Sequence, residues 1–207
     1  MYYASLATVE DREQIYRLRY EIYAKELGQY PEKAERKIQN QYDEVNEYFV
    51  IKDSEQEIIA FISVTPPNKY GLSSVNHLKK INVTYDIDPN AYEMRLLTVV
   101  KSRGLFFSFA LVYLVISWIK YQGGNTIVGI GRTEVVNFYK KCGAYPVENY
   151  VLYLGKVEYR FLEADIVKTV NPKKDYFMKL IKRFDSNLDW GNTSKFIEDD
   201  LYALKSN

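Results

Sequence analysis

Residues 92–104 read YEMRLLTVVKSRG, residues 104–119 read GLFFSFALVYLVISWI, and residues 137–144 read NFYKKCGA. The first run is rich in β-branched and apolar residues and predicts a strand over residues 92–100. Ser102, Arg103, Gly104 and Leu105 then fall where that strand turns into a helix. A helix start presents unpaired N–H groups and the positive end of a dipole, and both favour a phosphate. Gly104 lets the backbone come close to such a group, Arg103 adds charge, and Ser102 or Ser108 offers a hydroxyl. A plain strand-to-helix turn with a solvated arginine would read the same. In the third run Tyr139 lies one turn before a helix end marked by Gly143. A tyrosine can protonate a departing thiolate, since both groups have pKa values well above neutrality. Asn137, two residues earlier, carries a donor and an acceptor for an amide chain. The ordinary alternative for Tyr139 is packing, because the chain holds 20 tyrosines.

Composition narrows the field. A chain of 207 residues suits one domain, with or without a short appendage. Its hydrophobic share of 47% and aromatic share of 15% indicate a globular protein rather than a disordered one. The net charge is +1 with the basic residues dispersed, so no nucleic-acid footprint is expected. The single cysteine, Cys142, excludes an intrachain disulfide framework and fits a reducing compartment. The single histidine, His77, excludes a His-rich metal site and reads as a surface or loop residue. The start of the chain lacks the charged and apolar runs of a secretory signal, and a cytoplasmic location is expected. Residues 104–119 carry no charge, but as a helix they span about 24 Å, short of the roughly 30 Å hydrocarbon core. They predict a helix buried on all sides rather than a membrane span.

Reading outward, residues 2–7 predict a strand, and Thr8 with Asp11 predicts a helix start. Apolar residues at helical spacing carry that helix to Gly28. Residues 48–52 and 57–65 predict paired strands, residues 69–80 a helix or loop, and residues 126–130 another strand. After a helix over residues 133–142, strands near 150–154 and 157–165 form a hairpin across Gly155–Lys156. This order predicts a mixed α/β fold. Residues 1–170 form its domain, and residues 171–207 form a polar helical appendage.

These residues resemble the GCN5-related N-acetyltransferases, the GNAT superfamily. There, a loop after a central strand cradles the pyrophosphate of coenzyme A or phosphopantetheine, and a later helix supplies an asparagine and a tyrosine. RGLFFSFAL at residues 103–111 resembles the loop, with Phe106 where a second glycine usually stands, and NFYKKCGAY at residues 137–145 resembles the helix. A narrower resemblance is to the acyl-homoserine-lactone synthases and N-acyl amino acid synthases. It rests on RLRYEIYAKELGQY at residues 17–30, NQYDEVNEYFVI at residues 40–51 and YEMRLLTV at residues 92–99. Ser63 and Gln29 stand where lactone synthases carry an arginine and a tryptophan, which argues against homoserine lactone as the product.

The resemblance implies a mostly antiparallel central sheet flanked by helices and ending in a hairpin. It implies Arg19, Tyr23, Asp43 and Arg95 as acceptor-binding residues. Val99, Val100, Lys101, Arg103, Gly104, Leu105, Ser108 and Asn137 would hold acyl-CoA or an acyl-phosphopantetheine on a carrier protein. Glu93 would serve as base toward a small amine, a backbone N–H near Val99 would polarise the thioester, and Tyr139 would be the acid. Phe106, Phe107 and Phe109 would line a tunnel for a medium or long acyl chain. Alternatives for these residues are an Arg19–Asp43 ion pair, a Glu93–Arg95 pair on one strand face and phenylalanines that fill core. For the whole chain they are a small-acyl acetyltransferase, and a scaffold of this fold without catalysis.

Overall fold

The computed structural model describes residues 1–100, 104–184 and 187–198. Strand β1 (Tyr2–Leu6) leads into helix α1 (Val9–Arg19). Thr8 caps α1 reciprocally: its hydroxyl accepts from the Asp11 N–H at 3.2 Å, and the Asp11 carboxylate accepts from the Thr8 N–H at 2.9 Å. The single helix expected as far as Gly28 changes character after Arg19. Tyr20–Glu26 is π-helical, and the Leu27 N–H reaches back to the Ile22 carbonyl at 2.9 Å. Such widened turns are rare and occur often beside functional sites.

The chain continues through β2 (Glu47–Lys52), β3 (Ile58–Thr65), α2 (Ser73–Lys80), β4 (Tyr92–Val99) and α3 (Gly104–Tyr121). Then follow β5 (Thr126–Arg132), α4 (Val136–Lys141), β6 (Tyr145–Leu154), β7 (Val157–Asp165), α5 (Lys174–Phe184) and β8 (Leu188–Asp189). One eight-stranded sheet has the order β6-β7-β5-β4-β3-β2-β1-β8. Its neighbours are antiparallel except for the parallel pairs β4–β5 and β1–β8. The expected mixed, mostly antiparallel sheet with flanking helices and a β6–β7 hairpin is therefore present.

The sheet parts in its middle. β4 and β5 pair only at Tyr92–Ile127 and Glu93–Val128. Gly129 follows, where a Cβ would stand 2.6 Å from the Met94 carbonyl oxygen, so the last close approach of the two strands needs glycine. Beyond it β4 bulges at Leu96, a non-glycine residue at φ 56°, and its register with β3 shifts between Phe61 and Ser63. A bulge bends and twists its strand, and here it carries β4 away from β5.

Helix α3 packs under the sheet, with Phe107, Phe109, Leu111, Leu114, Val115 and Ile119 buried in the main core. It is long and apolar enough to cross a membrane, yet its apolar residues meet β2, β3, β4 and α5. The described part of residues 171–207 belongs to this same core rather than standing apart. Phe177 and Ile181 of α5 are each 1% exposed, and β8 pairs with β1.

Candidate active site

Where β4 and β5 separate, a cleft of about 350 Å³ opens. Tyr23 and Gln29 reach it from the π-helical turn and the corner after it, Ser73 and His77 from α2, and residues 95–99 from β4 with Val100 just beyond. Arg132 of β5, Tyr139 of α4 and Tyr159 of β7 form the opposite wall. On the α3 side of the sheet lies a second, apolar cavity of about 60 Å³ between Ile62, Met94, Val112, Ile116 and Leu162. Arg95, Leu96, Leu97, Ile130 and Tyr139 border both spaces.

Glu93 and Arg95 form the polar floor of the cleft. Glu93 is 1% exposed, and its two carboxylate oxygens accept from the Ser73 N–H at 2.7 Å and the Ser74 N–H at 2.6 Å. These are first-turn donors of α2, a position that favours an anion. The Arg95 guanidinium lies 3.9 Å from Glu93 and 4.8 Å from the Tyr42 ring centre, without a close ion pair. Its Nη1 is buried with no hydrogen-bond partner, as are the Ser74 hydroxyl, the Asn46 side-chain nitrogen and Arg19 Nε. Of these four residues only Arg95 lines the cleft, and buried polar groups normally find partners.

Tyr139 stands at the junction of the two spaces. Its ring lies against Gly131, where a Cβ would come within 2.4 Å of ring carbon Cε2. Burial holds its hydroxyl protonated well above the usual tyrosine range, and neighbouring Tyr23 acts in the same direction. Tyr23 in turn shares a 3.1 Å hydrogen bond with Thr98 on β4. The Val100 N–H donates to the Ile59 carbonyl at 2.8 Å, so Val100 is committed to β3. Val99, opposite Ala60, is the alternate, non-bonded position of that antiparallel ladder. Its N–H and carbonyl therefore face the edge from which β5 has departed.

The structure does not gather every expected residue here. Arg19, 1% exposed, binds the Asp43 carboxylate at 2.8 and 3.0 Å and the Tyr48 hydroxyl at 3.2 Å. This is the ion-pair alternative, and neither Arg19 nor Asp43 lines the cleft. Asn137 is exposed and borders neither space. Ser108 donates to the Gly104 carbonyl within α3 at 2.7 Å, and Leu105 is exposed at the start of that helix. Lys101 and Arg103, with Ser102, lie outside the described residues. Phe106, Phe107 and Phe109 do not line the apolar cavity. They stack on one another and on Tyr2, Phe138 and Tyr176, and the cavity wall is made instead by Val112 and Ile116. Sequence reasoning passed over Gln29, His77, Arg132 and Tyr159. Only the four-residue spacing of Ser73 and His77 hinted that one helix face carries both.

No family model and no curated protein matches the sequence. Solved structures do match the fold. A CoA-dependent acyl-homoserine lactone synthase, BjaI, solved with SAM and isopentyl-CoA, is 20% identical. The match covers 86% of this chain and 89% of that one, with a TM-score of 0.65. FeeM, an N-acyl amino acid synthase from uncultured soil microbes, is 12% identical over 81% of this chain and 92% of its own, with a TM-score of 0.61. The lactone synthase LasI is 11% identical over 84% and 94%, with a TM-score of 0.68. The chain shares the fold of these three synthases.

Proposed function

We propose that this protein is an N-acyltransferase. It moves a medium or long acyl group from acyl-CoA, or from the phosphopantetheine of an acyl carrier protein, to the amine of a small molecule such as an amino acid. The observation that supports this most is the meeting of a polar cleft and an apolar cavity at Tyr139, where β4 and β5 part. The acyl chain enters the apolar side between Met94, Val112 and Ile116, and its thioester carbonyl lies against the free edge of β4. The outward N–H of Val99 then polarises that carbonyl as the tetrahedral oxyanion forms.

The acceptor occupies the polar side. Its amine lies near Glu93, whose carboxylate is fixed by the start of α2, and its carboxylate meets the unmatched Nη1 of Arg95. Attack of the amine nitrogen forms the C–N bond, and collapse breaks the C–S bond. Tyr139, which keeps its proton through neutral and mildly alkaline pH, passes that proton to the departing thiolate and regains one from solvent. The lactone and acyl amino acid synthases of this fold support the same class of chemistry.

The small apolar cavity, about 60 Å³, favours a second reading in which the acyl group has only a few carbons. Longer chains require the α3 side chains to part toward Val170. The test is amide formation, detected by mass spectrometry, across CoA and carrier-protein thioesters from C2 to C14 with amino-acid acceptors. Turnover rising above C2 is expected, and a preference for acetyl selects the second reading. No amide from any pair, with native mass spectrometry showing no donor bound, leaves the fold as a non-catalytic scaffold.

A further inference from the structure

His77, the only histidine of the chain, lines the cleft with Glu93, Arg95 and Tyr139. It stands on α2, and its Nδ1 is 2.7 Å from the Ser73 carbonyl oxygen one turn earlier. A carbonyl can only accept, so Nδ1 is the donor of this contact, and in the neutral ring Nε2 then keeps its lone pair. Ser73 thus joins two groups: its carbonyl takes the His77 Nδ1–H, and its N–H donates to Glu93 at 2.7 Å. Glu93 itself spends both oxygens on the first turn of α2. Its geometry is that of a group holding α2, and with it the imidazole, against β4.

We propose that His77 is the base of the transfer reaction, with Nε2 taking the proton from the acceptor amine, while Glu93 is a positioning residue. This rests on the N-acyltransferase reading above. As the C–N bond forms, one N–H proton of the amine passes to Nε2 and gives an imidazolium. The Tyr139 proton passes to sulfur as the C–S bond breaks. The imidazolium then releases its proton to solvent and Tyr139 recovers one, so the sum is amine plus thioester to amide plus thiol. The charged and titratable groups bordering the same cleft are Glu26, Glu93, Arg95, Arg132 and the hydroxyls of Tyr23, Tyr30, Tyr139 and Tyr159.

The test compares wild-type protein with His77→Asn, whose amide can still donate to the Ser73 carbonyl, and with His77→Ala. Each is checked for an unchanged melting temperature and donor binding. A positioned base contributes roughly a hundredfold or more to rate. Both variants are expected to lose about that factor in kcat with KM for the donor unchanged, and to lose the acidic limb of the pH–rate profile. Added imidazole should restore part of the His77→Ala rate. An active wild type alongside a His77→Asn variant of equal kcat and unchanged acidic limb overturns the base role alone. Wild type that forms no amide from any donor and amine overturns the transfer reading and the base role together. The lone imidazole also gives one pair of 15N signals. Protonated Nδ1 with bare Nε2 is expected for the neutral ring, and the reverse tautomer overturns the assignment whatever the activity.

Discussion

Two acid–base pairs of this fold, Arg19–Asp43 and Arg95–Glu93, differ in what surrounds them. Arg19 and Asp43 sit in direct contact, with Tyr48 and the capped turn at Asn40 using the remaining Asp43 capacity. Arg95 and Glu93 stand 3.9 Å apart on one strand, and Glu93 turns to backbone donors instead of its arginine. The first pair is in contact between α1 and β2, away from the cleft, although Arg19 Nε has no hydrogen-bond partner. The second lines the open cleft, where Arg95 Nη1 has no partner. Family resemblance implies substrate roles for both pairs, yet only Glu93 and Arg95 line the cleft.

The sharpest way to break this contrast is Asp43→Ala. Removing one partner of a buried pair strands the other charge and costs about 3–5 kcal/mol. Denaturant unfolding should show that loss, and a change under about 1 kcal/mol would put Asp43 outside the architectural role. Arg95→Gln should behave in the opposite way. Loss of a buried charge contact to substrate costs about 2–5 kcal/mol in kcat/KM, while stability should shift by under about 1 kcal/mol because Glu93 keeps its backbone donors. Equal losses in stability and activity would erase the distinction. Gly131→Ala places a methyl group where the Tyr139 ring lies, and overpacking of this kind costs about 1–3 kcal/mol. Its kcat should fall more than its acceptor affinity, since it displaces the acid and leaves Arg95 in place.

The smallest expected effect is on pH dependence. Burial pushes Tyr159 up to about 12 and raises Tyr48 and Tyr139 as well. Unfolded tyrosines ionise near 10, so above that pH the unfolded chain binds fewer protons than the folded one. The contribution of these buried hydroxyls is complete below about pH 10 and is lost as pH rises toward and past 12. Melting temperatures from pH 7 to 12 should be level and then fall. Tyr139→Phe should soften that fall while leaving neutral stability intact, whereas Tyr48→Phe should cost stability already at neutral pH, where Asp43 loses a donor.

Local sequence carried much of the architecture. The reciprocal Thr8–Asp11 cap, the strand at residues 92–99, the charge-free α3 and the Gly155 turn are all properties of short segments, and short segments can be read. Glu93, Arg95 and Tyr139 were legible as candidates because each stands in a run with a recognisable pattern. His77 was not, since its meaning comes from a carbonyl one turn back and from a cleft built by distant strands. The π-helical turn was equally hidden, because its residues at helical spacing look the same in either helix. Phe107 and Phe109 misled for a related reason: an apolar face reads alike whether it borders a tunnel or other side chains.

The parting of β4 and β5 also sets a requirement on main chain rather than on side chain. The group that meets the thioester in this reading is a peptide N–H of Val99, and a main-chain donor survives any replacement except proline. What has to be inherited is a place where two strands come apart, with glycine at the last contact and a bulge beyond it.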